Sequence, residues 1–155
     1  MAEGRRMAGA VAGALVAGVA LTAMTMVQER KTRKPSELTD LERAGAAKLG
    51  AHTPAAASPP EAREQIVAQG GHLLLSALAG AAYAATTDED ADVLPSGIAF
   101  GVAFYAAAHW ITGPALGLKQ PEWKSDLPTI GMHAVNHILF GLATAAGAKA
   151  ATRAL

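Results

Sequence analysis

The chain has 155 residues with 13 basic and 13 acidic side chains, so its formal net charge at pH 7 is zero. Charged residues make up 17% of the sequence, against about 25% in soluble domains, and a neutral chain gives no electrostatic reason to bind nucleic acid. The chain contains no cysteine, which excludes disulfides, thiolate metal sites and thiol nucleophiles.

Four segments without a charged residue are long enough to cross a bilayer. A helix rises about 1.5 Å per residue, so about 20 residues cross a hydrocarbon core about 30 Å thick. A soluble Ala-rich bundle, the alternative, would need a charged outer face on each helix. The sequence therefore predicts an all-α fold, a four-helix transmembrane bundle forming one membrane domain over 1–155, with spans at about 7–27, 66–87, 93–114 and 128–148.

The first span is longer than a signal-peptide apolar region and lacks a convincing cleavage site, so we expect it to be retained. A long polar link, 28–65, follows it. Within this link Ser36 and an acidic first turn predict a short helix that reaches about Leu49. Its leucines are expected to rest on lipid headgroups, and the Ala-, Ser- and Pro-rich stretch 52–60 is expected to be flexible or extended.

Basic residues concentrate in the first link and in the third link, which joins the third span to the fourth, whereas the second link, 88–92, is acidic. The positive-inside rule therefore favours a cytoplasmic location for the first and third links, with both termini outside.

Small residues recur at four-residue spacing in the spans and predict close helix pairing. They are Gly9, Gly13 and Ala17, then Ser76 and Gly80, then Gly97 and Gly101, then Ala143 and Gly147. Apart from the lipid bilayer, the expected partners are a second copy of the chain or a larger membrane complex, docked on one such stripe. No nucleic-acid partner is expected.

Histidines occur in three of the four spans and are expected at one shared depth, because neighbouring spans run in opposite directions. His133 and His137 are four residues apart and share a helix face. A transition metal would be bound by His72, His109, His133 or His137, and a haem b by His72 paired with either His109 or His137. The alternatives are proton-responsive histidines and histidines that only hydrogen-bond neighbouring helices.

Catalytic patterns are missing from the sequence. No carboxylate falls within the spans, which argues against an ion-coupled transporter, and Ser76 and Ser96 have no triad partners. We therefore expect no enzymatic activity and no cofactor, with haem b or a transition metal as the alternative.

The segment from the third to the fourth span carries a family resemblance. It reads Pro114-Ala-Leu-Gly-Leu, then Pro121, Trp123 and Pro128, then Asn136-His-Ile-Leu-Phe-Gly. Together with Gly-His-Leu around His72, this pattern resembles the YagU-like family of small bacterial inner-membrane proteins. The resemblance implies a multi-pass inner-membrane protein with no established enzymatic activity, no hallmark cofactor and a loose link to acid stress. Its family-typical positions would be His72, Pro114, Gly117, His137 and Gly141.

The expected function is therefore that of a small multi-pass protein of the bacterial inner membrane with a structural or pH-responsive histidine cluster. The alternatives are a haem- or metal-binding subunit that carries electrons, and an accessory scaffold subunit of a larger membrane complex.

Overall fold

The computed structural model describes residues 2–153, and within them it is helical without any strand. A π-helical stretch, Ala106–Thr112, joins the fourth helix to the fifth, and a 3-10 turn, Glu122–Lys124, precedes the sixth. The predicted all-α class is confirmed for this part of the chain. The helices are α1 (Ala2–Thr32), α2 (Glu37–Lys48), α3 (Ala62–Thr86), α4 (Val93–Tyr105), α5 (Gly113–Ala115) and α6 (Leu127–Arg153).

Three helical segments are long and apolar enough to cross a membrane, namely Glu3–Thr32, Ala62–Thr86 and Val93–Ala115. They coincide with the first three predicted spans. The fourth predicted span, 128–148, lies within α6, which is long enough at 27 residues. This span is not one of the three segments, and its apolar residues are interrupted by two histidines, an asparagine and two threonines.

Contacts at the helix ends show that successive long helices run in opposite directions. Arg6, near the start of α1, donates to the carbonyl oxygen of Ala84 at the end of α3, at 2.6 Å. Lys149, near the end of α6, donates to the carbonyl oxygen of Asp90 between α3 and α4, at 3.1 Å. The first and third links meet at the opposite end of the molecule, where the candidate site lies.

Glycines bring α6 against both α1 and α4. A Cβ atom at Gly141 would overlap the backbones of Gly97 and Gly101, and one at Gly147 would overlap the backbone of Gly9. Helices can approach this closely only where a side chain is missing. The predicted small-residue stripes therefore pack helices of this one chain against each other.

A line of aromatic rings runs through the interior toward the histidines. Phe100 packs edge-on against Tyr83 with ring centroids 5.3 Å apart, and it stacks on Phe104 at 6.1 Å. Phe104 in turn meets the ring of His137 at 5.1 Å. The aromatic side chains thus fix the position of one histidine of the candidate site.

The short helix predicted in the first link is confirmed as α2. Its N-cap Ser36 accepts a hydrogen bond from the Thr39 backbone N–H at 3.4 Å. The buried Glu29 carboxylate of α1 accepts from the Ser36 backbone N–H and the Thr39 hydroxyl, both at 2.7 Å. These bonds attach the start of α2 to the end of α1.

The leucines of α2 differ in their exposure. Leu38 and Leu41 are half-buried and line a cavity between α2 and the longer helices, and contact of these leucines with lipid headgroups stays a prediction. Leu49, by contrast, is 88% exposed. The apolar face of α2 therefore closes one end of the helix assembly.

Arg43 fastens α2 and the rest of the first link to α3. Its buried guanidinium donates to the Glu64 carboxylate at 2.8 Å and to the carbonyl oxygens of Ala55 and Ser58, both at 3.2 Å. The stretch 52–60, predicted to be flexible or extended, is therefore tied to a single side chain.

Candidate metal centre

Three of the four predicted site histidines come together. The Nε2 atoms of His109 and His137 are 3.1 Å apart, and the rings of His109 and His133 have centroids 4.6 Å apart. His72 lines the same cavity, of about 220 Å³, but its Nδ1 atom bonds the Thr22 hydroxyl at 3.1 Å. His72 is therefore a neighbour of the cluster and has a hydrogen-bond partner on α1.

His109 lies within the π-helical stretch Ala106–Thr112. Pro114 follows this stretch, lacks a backbone N–H and would crowd the carbonyl of the residue four positions before it. A π-helical turn widens the helix at such a point and is frequent at functional sites. The predicted end of the third span near Pro114 is confirmed, since the helix stops at Ala115.

Two carboxylates that the sequence analysis did not assign to the site complete the cluster. Glu122, from the third link, is fully buried, and its Oε1 atom is 2.6 Å from Nδ1 of His133. Glu37, the first residue of α2, has its Oε2 atom 2.9 Å from Nε2 of His133. His133 therefore bridges two carboxylates that come from different links. Tyr105 adds a hydroxyl that donates to Glu122 at 3.3 Å.

The Lys119 ammonium lies inside this set of groups. It donates to Glu37 and, at 2.8 Å, to Oε2 of Glu122, and its Nζ atom is also 2.8 Å from Nδ1 of His109. The lysine side chain is 14% exposed. Gly113 leaves room for the lysine stem, because an added Cβ atom would lie 2.8 Å from Cγ of Lys119.

The hydrogen bonds in the cluster favour the charged forms of the acidic and basic groups from the links. Burial would raise the pKa of Glu37, but hydrogen bonds from His109, His133 and Lys119 outweigh it and hold this pKa far below its ordinary value. Burial likewise opposes ionisation of Glu122, and bonds from Lys119 and His133 still lower its pKa. Burial disfavours the Lys119 ammonium, yet its carboxylate partners raise its pKa. Both carboxylates and the lysine are therefore charged at neutral pH.

These shifts predict that the protein loses stability in acid. A carboxylate with a lowered folded-state pKa stabilises the fold above its unfolded value, here 4.5, and loses that contribution as the pH falls further. Lys119 contributes in the opposite sense and loses its effect only in strong alkali. Thermal unfolding in detergent should show a drop in midpoint below about pH 4.5.

The matched variant for this acid prediction is Glu122→Gln, which cannot ionise at that position. The histidines and Tyr105 that face Glu122 are unchanged in it, so its midpoint should fall less steeply in acid than that of the wild type. Equal slopes for the two proteins would show that Glu122 does not supply the acid sensitivity.

Four residues of the cluster form a donor set for a metal ion. Glu37, His109, Glu122 and His133 each offer one ligand atom, and these atoms lie within 4.8 Å of one another. Two ligands about 2.0–2.2 Å from one metal lie about 4.0–4.4 Å apart when they face each other across it and about 3.3–3.6 Å apart in a tetrahedral site, so the four side chains must draw together by about 0.4–1.5 Å to bind one ion. The cluster of three histidines was predictable from the sequence. The two carboxylates were missed because both lie outside the apolar segments, where Glu37 looks like an ordinary first-turn acid.

The chain matches no protein-family model, no curated protein and no solved structure in comparisons with known proteins. Its function is therefore inferred from its own residues.

Proposed function

We propose that the protein is a multi-pass protein of the bacterial inner membrane, with α1, α3, α4–α5 and α6 as a four-helix transmembrane bundle. Three of the segments are apolar enough to span, and the glycine contacts of α6 with α1 and α4 support its insertion as the fourth. The basic first and third links lie at one end of the molecule, which the positive-inside rule favours as cytoplasmic.

The function that the site supports best is binding of a divalent transition metal at the cytoplasmic end of this bundle. One observation carries this proposal: Glu37, His109, Glu122 and His133 each offer one ligand atom, and these four atoms lie within 4.8 Å of one another. The four residues come from α2, the π-helical stretch, the third link and α6, so a bound ion would join otherwise separate elements.

The donor chemistry narrows the choice of metal. Imidazole suits zinc, copper, iron and nickel, whereas carboxylate suits magnesium, calcium and manganese. A donor set of two imidazoles and two carboxylates, without a thiolate, favours Zn²⁺, Fe²⁺ or Mn²⁺.

Haem is less well supported than a single ion. Both predicted haem pairs include His72, whose Nδ1 atom bonds the Thr22 hydroxyl at 3.1 Å and which is not among the four residues whose ligand atoms lie together. The cavity beside His72, about 220 Å³, is also smaller than the about 300–1,000 Å³ of typical small-molecule sites.

The metal proposal predicts that detergent-purified protein binds about one Zn²⁺ ion per chain. The protein should carry a purification tag without histidines, be treated with a chelator, and then be titrated with Zn²⁺ by calorimetry. Each of Glu122→Gln and His133→Ala should weaken binding by about 10–100-fold or more, since loss even of an outer-shell partner of a metal ligand costs that much.

His52→Ala provides the control, because His52 lies in the exposed part of the first link. That variant should bind Zn²⁺ as the wild type does. Binding that is absent from the wild type, or that survives both cluster substitutions, would contradict the proposal.

Several expectations from the sequence remain predictions beside this proposal. They are the YagU-like relationship, the absence of enzymatic activity, an acid-stress role for the histidines, electron transfer, and docking of a second copy or a larger complex. A proton-responsive cluster gains one supporting observation, since His133 bonds two carboxylates from different links.

A further inference from the structure

We propose that Lys119 is a tethered cation that occupies the metal position and must leave it before a metal can bind. This inference rests on the proposed function and adds its regulation. It follows from the contacts, the charge and the surroundings of the lysine.

The contacts of the ammonium are those expected of an ion in the site. Nζ of Lys119 bonds three of the four donor residues, Glu37, Glu122 and His109. Its distances to Glu122 Oε2 and His109 Nδ1 are both 2.8 Å. A metal at about 2.0–2.2 Å from the same atoms would overlap the ammonium, so the two cations exclude each other.

Charge explains why a lysine is placed there. Glu122 is fully buried, and an uncompensated carboxylate in such a position strongly destabilises a fold. The ammonium keeps both carboxylates paired when no metal is present. Exchange of the ammonium for a dication then preserves a positive centre between them.

The surroundings of Lys119 allow the exchange. Its stem lies over Gly113, where no side chain blocks it. Gly117, two residues before the lysine, has a φ of +62°, which glycine adopts at no steric cost. Gly117 and Gln120 on either side of this stretch are exposed, so the lysine can swing toward solvent without unpacking a helix.

Because Lys119 is part of the chain and competes with the metal, metal binding at this site should be readily reversible. The ammonium returns as soon as a metal leaves, so the empty cluster stays assembled and the apparent affinity is reduced by the fraction of chains in which Lys119 is bound. The site is therefore suited to reversible exchange of a metal, in contrast to a permanently loaded structural site.

The test compares Zn²⁺ affinity in wild type and Lys119→Met. Methionine keeps a similar stem and removes the charge, so Zn²⁺ should bind at least about tenfold more tightly if the ammonium occupies the site in nine of ten chains. Lys124→Met is the matched control, because this exposed lysine lies in the same link and has no hydrogen bond to the cluster. Its affinity should equal that of the wild type.

Two further measurements cover the case in which Lys119→Met fails to fold. Gly113→Ala crowds the flexible lysine stem most, with the new Cβ 2.8 Å from Cγ and 3.0 Å from Cδ against 3.1 Å from the Ala108 carbonyl oxygen, and should also tighten Zn²⁺ binding. In the wild type, an amine-acylating reagent followed by mass spectrometry should modify Lys119 faster when Zn²⁺ is present, because the expelled ammonium is exposed.

The outcomes separate this inference from the proposed function. Tighter binding by Lys119→Met or Gly113→Ala supports the tethered cation even if the wild type binds Zn²⁺ too weakly to measure. Where the wild type does bind Zn²⁺, faster acylation of Lys119 in its presence supports the tethered cation as well. Wild-type binding that neither substitution tightens, with no change in acylation, overturns the inference and leaves the metal site standing. Absence of binding in all of the proteins overturns both.

Discussion

Replacing Glu122 with alanine is expected to lower the free energy of unfolding by about 3–5 kcal/mol, the range found when one partner of a buried ion pair is removed. The Glu122 carboxylate is fully buried and accepts hydrogen bonds from Lys119, His133 and Tyr105. Alanine would leave the Lys119 ammonium with Glu37 as its remaining carboxylate partner.

The measurement is reversible unfolding of the metal-free protein from a mild detergent into a denaturing one. Glu122→Gln should fall between the wild type and Glu122→Ala, because the amide keeps the shape and one acceptor oxygen but loses the charge. Glu89→Ala is the matched control, since Glu89 lies in the exposed acidic link and surface substitutions usually change stability by less than about 0.5 kcal/mol. A Glu122→Ala protein as stable as the Glu89→Ala control would mean that the buried carboxylate contributes nothing net.

Much of the fold could be predicted from the sequence because the strongest signals are local. The absence of charge over about 20 residues identified the first three long helices, and Ser36 with its acidic first turn identified α2. The spacing of the glycines indicated close packing, although which helices would pair was decided by the arrangement in space. The fourth apolar segment is a helix too, but its polar side chains lower its hydropathy and it is not among the three segments apolar enough to span a membrane.

The candidate site was only half predictable, for a physical reason. Histidines are easily recognised within apolar segments, and the opposite directions of neighbouring spans predicted that they lie at one depth. The structure places His109, His133 and His137 together. Glu122 and Lys119 lie in a short link, where a charged residue is ordinarily solvated. Nothing local in the sequence shows that the link folds inward and that α2 covers it, because this depends on contacts such as those of Arg43 far away in the chain.

The close approach of α4 and α6 gives the second large expected effect. Replacing Gly141 with valine should lower the free energy of unfolding by about 3 kcal/mol, the upper end of the range for overpacking a core. A Cβ at this position would overlap the carbonyl oxygen of Gly97 and the backbone of Gly101. Both obstacles are backbone atoms, so the two helices must move apart.

Separation of these two helices should also disturb the candidate metal centre. Gly101 of α4 packs against the backbone of His137 on α6. His109 lies in the π-helical stretch that follows α4, and its Nε2 atom is 3.1 Å from Nε2 of His137. Gly141→Val should therefore weaken Zn²⁺ binding even though residue 141 offers no ligand atom. Gly131→Val is the matched control on the same helix, because an added Cβ there meets no atom within 4 Å, and both variants carry the same β-branched side chain. If the Gly131 and Gly141 variants unfold alike and bind Zn²⁺ alike, the spacing of α4 and α6 is not what holds the donor set together.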